Sequence, residues 1–295
     1  MRVLISGSTG LLGTYLRKIA PPEAEVIGTY YSRPFSGGVK LDLMSSMQTA
    51  DLLCEVKPDV IIHTAGEGSV DKVERAPNIY YPLNVLAPLR LAHLAQQFGC
   101  QQFVHLSSNA VFGKANPPYR EFDERLPVNE YGRQKSLVDG LLQEKEIAER
   151  LTIIRPILLF GWESDGGRKN WVTQCLGKWE RGETVRAVTD VVTQPLYARD
   201  CADFIWHCVQ EQHTGIYHVA GKSVVNFHEF TQEIASVFGY DEALLEEARL
   251  DDFPMLCPRP RRCWYGMERA IVRGCIPRVL REGLEEMKGE KDGIR

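Results

Sequence analysis

What this sequence lacks already removes several classes of protein. Its eight cysteines, Cys54, Cys100, Cys175, Cys201, Cys208, Cys257, Cys263 and Cys275, include no Cys-x-x-Cys pair. A zinc ribbon or a dithiol redox centre is therefore not expected, no metal ion is assigned, and each thiol reads as a small buried hydrophobe or an idle group. No apolar run approaches the roughly 20 residues that span a bilayer. Val3-Leu4-Ile5 runs into glycines and does not open the long apolar stretch of a signal peptide. A cytoplasmic chain with no membrane partner is the expectation. Positive charge is not in excess either: 35 Lys and Arg face 39 Asp and Glu, for a net charge of −4, and the basic residues are scattered. Nucleic acid is thus not an expected partner. Internal repeats and low-complexity linkers are absent as well.

What is present is an ordinary globular composition, 44% hydrophobic and 25% charged over 295 residues. That length suits one large domain or two intimately joined lobes. Short β-type runs alternate with helical stretches. Strands are expected at 2–6, 25–30, 59–63, 102–106, 151–157 and 215–219. Helices are expected at 11–20, 45–55, 82–98, 131–149, 171–181 and 200–210, with a helical, polar tail from Phe227 onward that is broken by a Pro/Arg-rich segment at 254–262. Continuous apolar strands alternating with helices predict an α/β chain with a parallel sheet covered on both faces. The fold class is a Rossmann-type doubly wound parallel sheet with a smaller α/β substrate-binding lobe. Residues 1–160 form the nucleotide-binding part, joined by 190–220; residues 221–295, with 161–189, form the smaller lobe.

Between the first strand and the first helix lies Gly7-Ser8-Thr9-Gly10-Leu11-Leu12-Gly13. Glycines there allow a tight turn and close backbone approach to a pyrophosphate, which then meets the free amides of the helix N-terminus. At the end of the second strand stands Tyr31-Ser32-Arg33, with no acid at that edge. An acid would bind a ribose 2′-hydroxyl; a serine and a guanidinium suit a 2′-phosphate, so NADP(H) is the expected cofactor. Farther on, Tyr131-Gly132-Arg133-Gln134-Lys135 puts a phenol and an ammonium on one helical face, downstream of a strand that ends in Leu106-Ser107-Ser108. Reduction of a ketone by hydride needs a proton donor at the carbonyl oxygen and a second group to hold that oxygen. Tyr131 would give the proton, Ser108 would hold the oxygen, and Lys135 with the oxidised nicotinamide would draw the phenol's pKa towards neutrality.

The Gly-x-x-Gly-x-x-Gly spacing resembles that of the short-chain dehydrogenase/reductases. Val70-Asp71-Lys72-Val73-Glu74, Ser107 to Gly113, Pro118-Tyr119, Glu121, Asp123, Pro127, Asn129 and Tyr131 to Lys135 resemble the extended, dTDP-4-dehydrorhamnose reductase-like family; Asn170-Trp171, Gln194-Pro195 and Arg259-Pro260 do so more faintly. The resemblance implies an NADPH-dependent reductase of a nucleotide-linked 4-keto sugar, and dimers by analogy. It adds Asp42, Leu43, Thr64, Ala65, Gly66, Asn84, Ser107, Arg155 and Pro156 to the cofactor residues. It assigns Glu67, Asn109, Val111, Phe112, Asn170 and Trp171 to the substrate. Departures are Ser107-Ser108-Asn109 for the family's Ser-Thr-Asp, Glu67-Gly68 after the third strand, and Cys263-Trp264-Tyr265 in the tail. Two other readings share these motifs: a non-catalytic NADP-binding regulatory subunit resembling the β subunit of methionine adenosyltransferase, and a sugar-nucleotide epimerase.

Overall fold

The computed structural model describes residues 1–144 and 149–292. The chain opens with β1 (Arg2–Ser6), α1 (Leu11–Lys18), β2 (Glu25–Tyr30), β3 (Val39–Lys40), α2 (Ser46–Val56) and β4 (Val60–His63). Then follow α3 (Val70–Arg75), α4 (Pro77–Tyr81), a π turn (Pro82–Leu86), α5 (Ala87–Gln97), β5 (Gln102–Leu106), α6 (Glu130–Gln143), β6 (Leu151–Pro156) and β7 (Leu159–Phe160). The second half holds α7 (Trp171–Trp179), β8 (Val185–Val188), β9 (Val192–Thr193), β10 (Leu196–Tyr197), α8 (Ala198–Gln210), β11 (Gly215–Val219), β12 (Val225–Asn226) and α9 (Phe227–Phe238). It ends with β13 (Leu245–Ala248), α10 (Glu268–Val272) and α11 (Leu280–Asp292). Among the described residues, no helix is long and apolar enough to cross a membrane.

Seven strands form one parallel sheet in the order β11-β6-β5-β4-β1-β2-β3. The strands are apolar on both faces because both are covered. Leu4, Ile61, Phe103 and Ile153 pack towards α2, α5 and α6. Their neighbours Val3, Ile5, Val60, Ile62, Val104 and Ile154 pack on the other side. That second core continues without a break into the smaller lobe through Trp179, Phe230 and Leu284. One hydrogen bond crosses the same seam, Tyr15 Oη to Glu290 (2.8 Å), and two others brace its sides: Trp206 Nε1 to the Leu16 carbonyl (2.9 Å) and Trp162 Nε1 to the Met287 carbonyl (2.6 Å).

Three expected elements differ. The single helix at 82–98 is divided by a π turn, because Pro82 and Pro88 each lack the N–H that a continuous ladder needs. The long helix expected to Glu149 runs only to Gln143, and residues 145–148 lie outside the described set. The tail is not uniformly helical: β13 pairs in parallel with β8, some sixty residues earlier, a pairing that no local pattern announces. All eight cysteines are unpaired, and all but Cys54 are buried.

The sheet buries uncharged histidines. Burial, with the Lys135 ammonium near His63, lowers its pKa to about 3, and burial beside Arg155 lowers that of His218 to about 2. The unfolded chain takes up these protons near pH 6.5, whereas the native state does not. Stability is therefore complete above that pH and falls as pH drops towards the folded values, by about 1.4 kcal/mol per pH unit for each histidine. Urea midpoints measured from pH 7 to pH 5 should decline, and His63→Asn should flatten the decline. An unchanged slope in that variant would contradict the assignment.

Candidate active site

Strands β1 and β4 are neighbours, and the chain leaves them in opposite directions across the sheet. At their carboxyl ends such a sheet leaves a crevice. The loop from β1 into α1 floors it. Gly7 has φ +78°, and a Cβ there would stand 2.7 Å from the Ala65 amide nitrogen, so only glycine lets the two loops meet. Helix α1 begins at Gly10 with no side-chain cap and no acid in its first turn. Its orphan amides and positive dipole end thus face the crevice.

Gly7, Thr9, Gly10, Tyr31, Ser32, Arg33, Asp42, Leu43, Thr64, Ala65 and Gly66 all line this cleft, whose volume is about 250 Å³. Ser8, Leu12 and Gly13 shape the loop from beneath. Ser8 Oγ donates to the Ile5 carbonyl (2.8 Å), Leu12 is in the core, and Gly13 packs on the Gly7 carbonyl. Leu11 is half-buried against the same core. Arg33 Nη2 donates to the Thr9 carbonyl at 2.9 Å, while its Nη1 is buried with no hydrogen-bond partner among the described residues. A side-chain-free cradle, an uncapped helix and an unspent guanidinium nitrogen fit a dinucleotide that carries an extra phosphate.

Sequence reasoning read residues 162–169 as a loop but missed that it packs on Thr9 and Arg33 of this cleft. Ser164 Oγ also donates to the Thr9 carbonyl (2.9 Å), and Gly167 leaves room for Arg33 Nη1. Its signal was the density of glycines between Trp162 and Lys169, which marks close backbone approach as well as a loop.

Ser108 and Tyr131 line a second, larger cavity of about 670 Å³ beside the first. Helix α6 is capped by Asn129, whose Oδ1 accepts from the Gly132 amide at 2.9 Å. A Cβ on Gly132 would stand 2.1 Å from the Ala110 carbonyl oxygen, so this glycine is what seats the helix on the Ser108–Val111 turn. Tyr131 thereby stands with Ser108 in the wall of the cavity. Lys135, one turn on, is buried and donates to the Leu106 carbonyl at 2.8 Å.

The electrostatics differ from the sequence expectation. Burial raises the Tyr131 pKa, opposed by the Ser108 hydroxyl and then by Arg168; the lysine is not what sets it. Burial also lowers Lys135 to about 8 against the pull of Asp139. Its ammonium is spent on a backbone carbonyl instead of on the phenol. The protein thus keeps Tyr131 a protonated acid.

Other expected residues fall elsewhere. Arg155 lines neither cavity: its guanidinium is buried in an ion pair with Asp139 (2.8 Å) and donates to the Glu121 carbonyl (2.9 Å). Pro156 is buried in β6 opposite Val219. Asn84 lines neither cavity. Its side chain bonds the Glu67 amide (2.9 Å), the Glu67 carbonyl (3.2 Å) and Gln134 (3.1 Å), which ties the β4–α3 loop to α6. The Glu67 carboxylate is held by the Ser69 amide and by Lys72, and Gly68 lines the cavity in its place. Val111 and Phe112 are core residues, Phe112 stacking on Tyr119 at 4.5 Å. Ser107 is buried, with its hydroxyl unpartnered among the described residues. Asn170 bonds the Gly161 carbonyl (2.7 Å) and Glu163, whereas Asn109 and Trp171 do line the cavity. The cations Lys178, Arg186 and Arg259 also line it. Of these, only Arg259 had carried a sequence signal.

The family described as RmlD substrate binding domain matches residues 1–291. A probable low-salt glycan biosynthesis reductase, Agl14, of Haloferax volcanii is 29% identical over 298 residues, covering 98% of this chain and 97% of its own. Methionine adenosyltransferase 2 subunit beta of Xenopus tropicalis is 31% identical over 268 residues, covering 88% of this chain and 78% of the relative. The crystal structure of a dTDP-4-dehydrorhamnose reductase from Clostridium acetobutylicum superposes with a TM-score of 0.87 at 25% identity, covering 99% of this chain and 100% of that one.

Proposed function

This chain belongs to the RmlD substrate binding domain family, and on that footing we propose that it is an NADPH-dependent reductase of a nucleotide-linked 4-keto sugar. The observation that carries the proposal is the placement of Ser108 and Tyr131 in the wall of the larger cavity, beside a cleft suited to a phosphorylated dinucleotide. NADPH bound in that cleft would supply the hydride. The chain's own groups supply the rest. The Tyr131 phenol, kept protonated by burial, gives its proton to the ketone oxygen as charge develops there. The Ser108 hydroxyl donates a hydrogen bond to the same oxygen, and the Lys135 ammonium, fixed on Leu106, supplies positive charge behind the phenol. The apolar wall made by Trp171, Phe227 and Phe253 suits a nucleotide base, and the cations suit its diphosphate.

A second reading rests on the subunit beta relatives, whose identity to this chain is no lower than that of the reductase relatives. It makes the chain a regulatory binding subunit. Both are tested by NADPH oxidation with a panel of 4-ketosugar nucleotides, run beside capture of partners from lysate. Turnover of one panel member supports the reductase. Absence of any turnover, together with stoichiometric capture of a methionine adenosyltransferase catalytic subunit, would replace it. The panel should include dTDP-glucose, on which no 4,6-dehydration is expected, since neither Asn109 nor Ala110 after Ser108 can transfer a proton at neutral pH. Formation of the 4-keto-6-deoxy product would overturn that exclusion.

A further inference from the structure

Ser108 has one proton to give and two lone pairs to receive. Its Oγ accepts from the Ala110 amide at 3.1 Å, and its own proton is free to find an acceptor. The remaining neighbour is the Asn109 carboxamide, whose Oδ1 lies 3.4 Å from Ser108 Oγ. The amide's other end faces Cys263, with Asn109 Nδ2 donating to Sγ at 3.4 Å. Turned the other way, the carboxamide would aim an N–H at Ser108 and leave the hydroxyl proton without this acceptor. Its oxygen would then meet a sulfur that offers only a weak proton.

The cysteine is held from both sides by a segment that runs between the lobes. Its amide donates to the Val192 carbonyl (3.0 Å), Arg262 bridges Val192, and Tyr265 bridges Tyr119. The Tyr265 amide also donates to Gln194 Oε1 at 2.9 Å. Cys263 is almost fully buried, yet with Ser108, Asn109 and Tyr131 it contributes to the wall of the larger cavity. Burial pushes its thiol up to about 11, so at neutral pH the sulfur is an uncharged acceptor and not a nucleophile.

We infer that Cys263 is a positioning residue for ketone reduction: by receiving the Asn109 amide it keeps the carboxamide oxygen towards Ser108, and so orients the hydroxyl that hydrogen-bonds the substrate oxygen. The chain of contacts Cys263–Asn109–Ser108–Tyr131 carries no net charge and moves no proton of its own. It sets which way each proton points. The role in reduction rests on the function proposed above; the contact itself does not.

The test compares Cys263→Val, which keeps the volume and removes the acceptor, with Cys263→Ser, which keeps an acceptor. With NADPH and the best ketosugar nucleotide, Cys263→Val should lower kcat about tenfold, with KM and NADPH affinity within about twofold of wild type, and Cys263→Ser should recover most of the loss. The substrate-free protein gives an independent readout through the side-chain amide ¹⁵N–¹H pair of Asn109, assigned by its disappearance in Asn109→Asp. That pair should shift in Cys263→Val and stay near its wild-type position in Cys263→Ser. A wild-type kcat in Cys263→Val, or equal impairment of both variants, overturns the positioning role, and an unmoved amide pair overturns the contact. A wild-type protein that reduces no ketosugar nucleotide overturns the functional reading and with it the role in reduction, while the amide signal still decides the contact.

Discussion

Tyr131→Phe is expected to lower ketosugar reduction by about 10²- to 10⁴-fold while leaving NADPH affinity within about twofold of wild type. The phenyl ring fills the same space at the head of α6, so the Asn129 cap and the packing of Gly132 on the Ala110 carbonyl survive. What disappears is the one proton held next to Ser108. Ser108 can still donate a hydrogen bond to the ketone oxygen but cannot neutralise it. Because the phenol acts on the transition state, the loss belongs in kcat and not in cofactor binding. Single-turnover reduction and fluorescence titration of NADPH separate the two quantities. Activity within about twofold of wild type would remove Tyr131 from its role. Lys135→Met should be worse in both measurements, since the buried ammonium also ties α6 to the end of β5 through the Leu106 carbonyl.

Arg33→Ala should abolish most of a preference for NADPH over NADH that we expect to be about 10- to 150-fold, the ratio that corresponds to one charge-assisted hydrogen bond of about 1.5–3 kcal/mol. The guanidinium is already oriented by the Thr9 carbonyl through Nη2, and its buried Nη1 has no protein partner among the described residues. A 2′-phosphate would give that nitrogen the acceptor it lacks. The variant also frees the Thr9 carbonyl of one donor, so both cofactors should weaken slightly; the ratio is the informative quantity. Ser164 continues to hold the same carbonyl, which limits that common loss. Equal affinity of the wild-type protein for the two cofactors, at matched ionic strength, would refute the assignment.

The sheet was legible because each central strand is apolar on both faces, and β1, β5 and β6 end at or beside a serine or a proline. The phosphate loop and the Tyr131–Lys135 pair were legible because their chemistry depends on spacing along one chain segment. Side-chain direction was much less so. Arg155 ends the strand after α6, where the family resemblance implied a cofactor contact, yet alternate residues of a strand face opposite ways, and its guanidinium went to Asp139. Val111 and Phe112 continue the motif after Asn109, but the tight turn over Asn109–Val111 rotates them into the core. The contribution of Cys263 depends on a strand-like segment that meets Val192 and Tyr119, contacts about 70 and 150 residues distant, and no local window contains them. Gly132 is the intermediate case. It was visible within the catalytic pentapeptide, but its purpose required the position of the Ala110 carbonyl.

The unbroken core between the lobes governs how this protein can be recombined. A chimera that exchanged the substrate lobe with that of a relative by a single crossover after Phe160 would divide Phe160 from Phe230, Leu16 from Trp206 and Tyr15 from Glu290. Specificity in such a chain is not a detachable module. Any transplant has to carry the matching faces of α1 and α8 with it, so new substrate ranges are reached more readily by single substitutions in the cavity wall than by swapping domains.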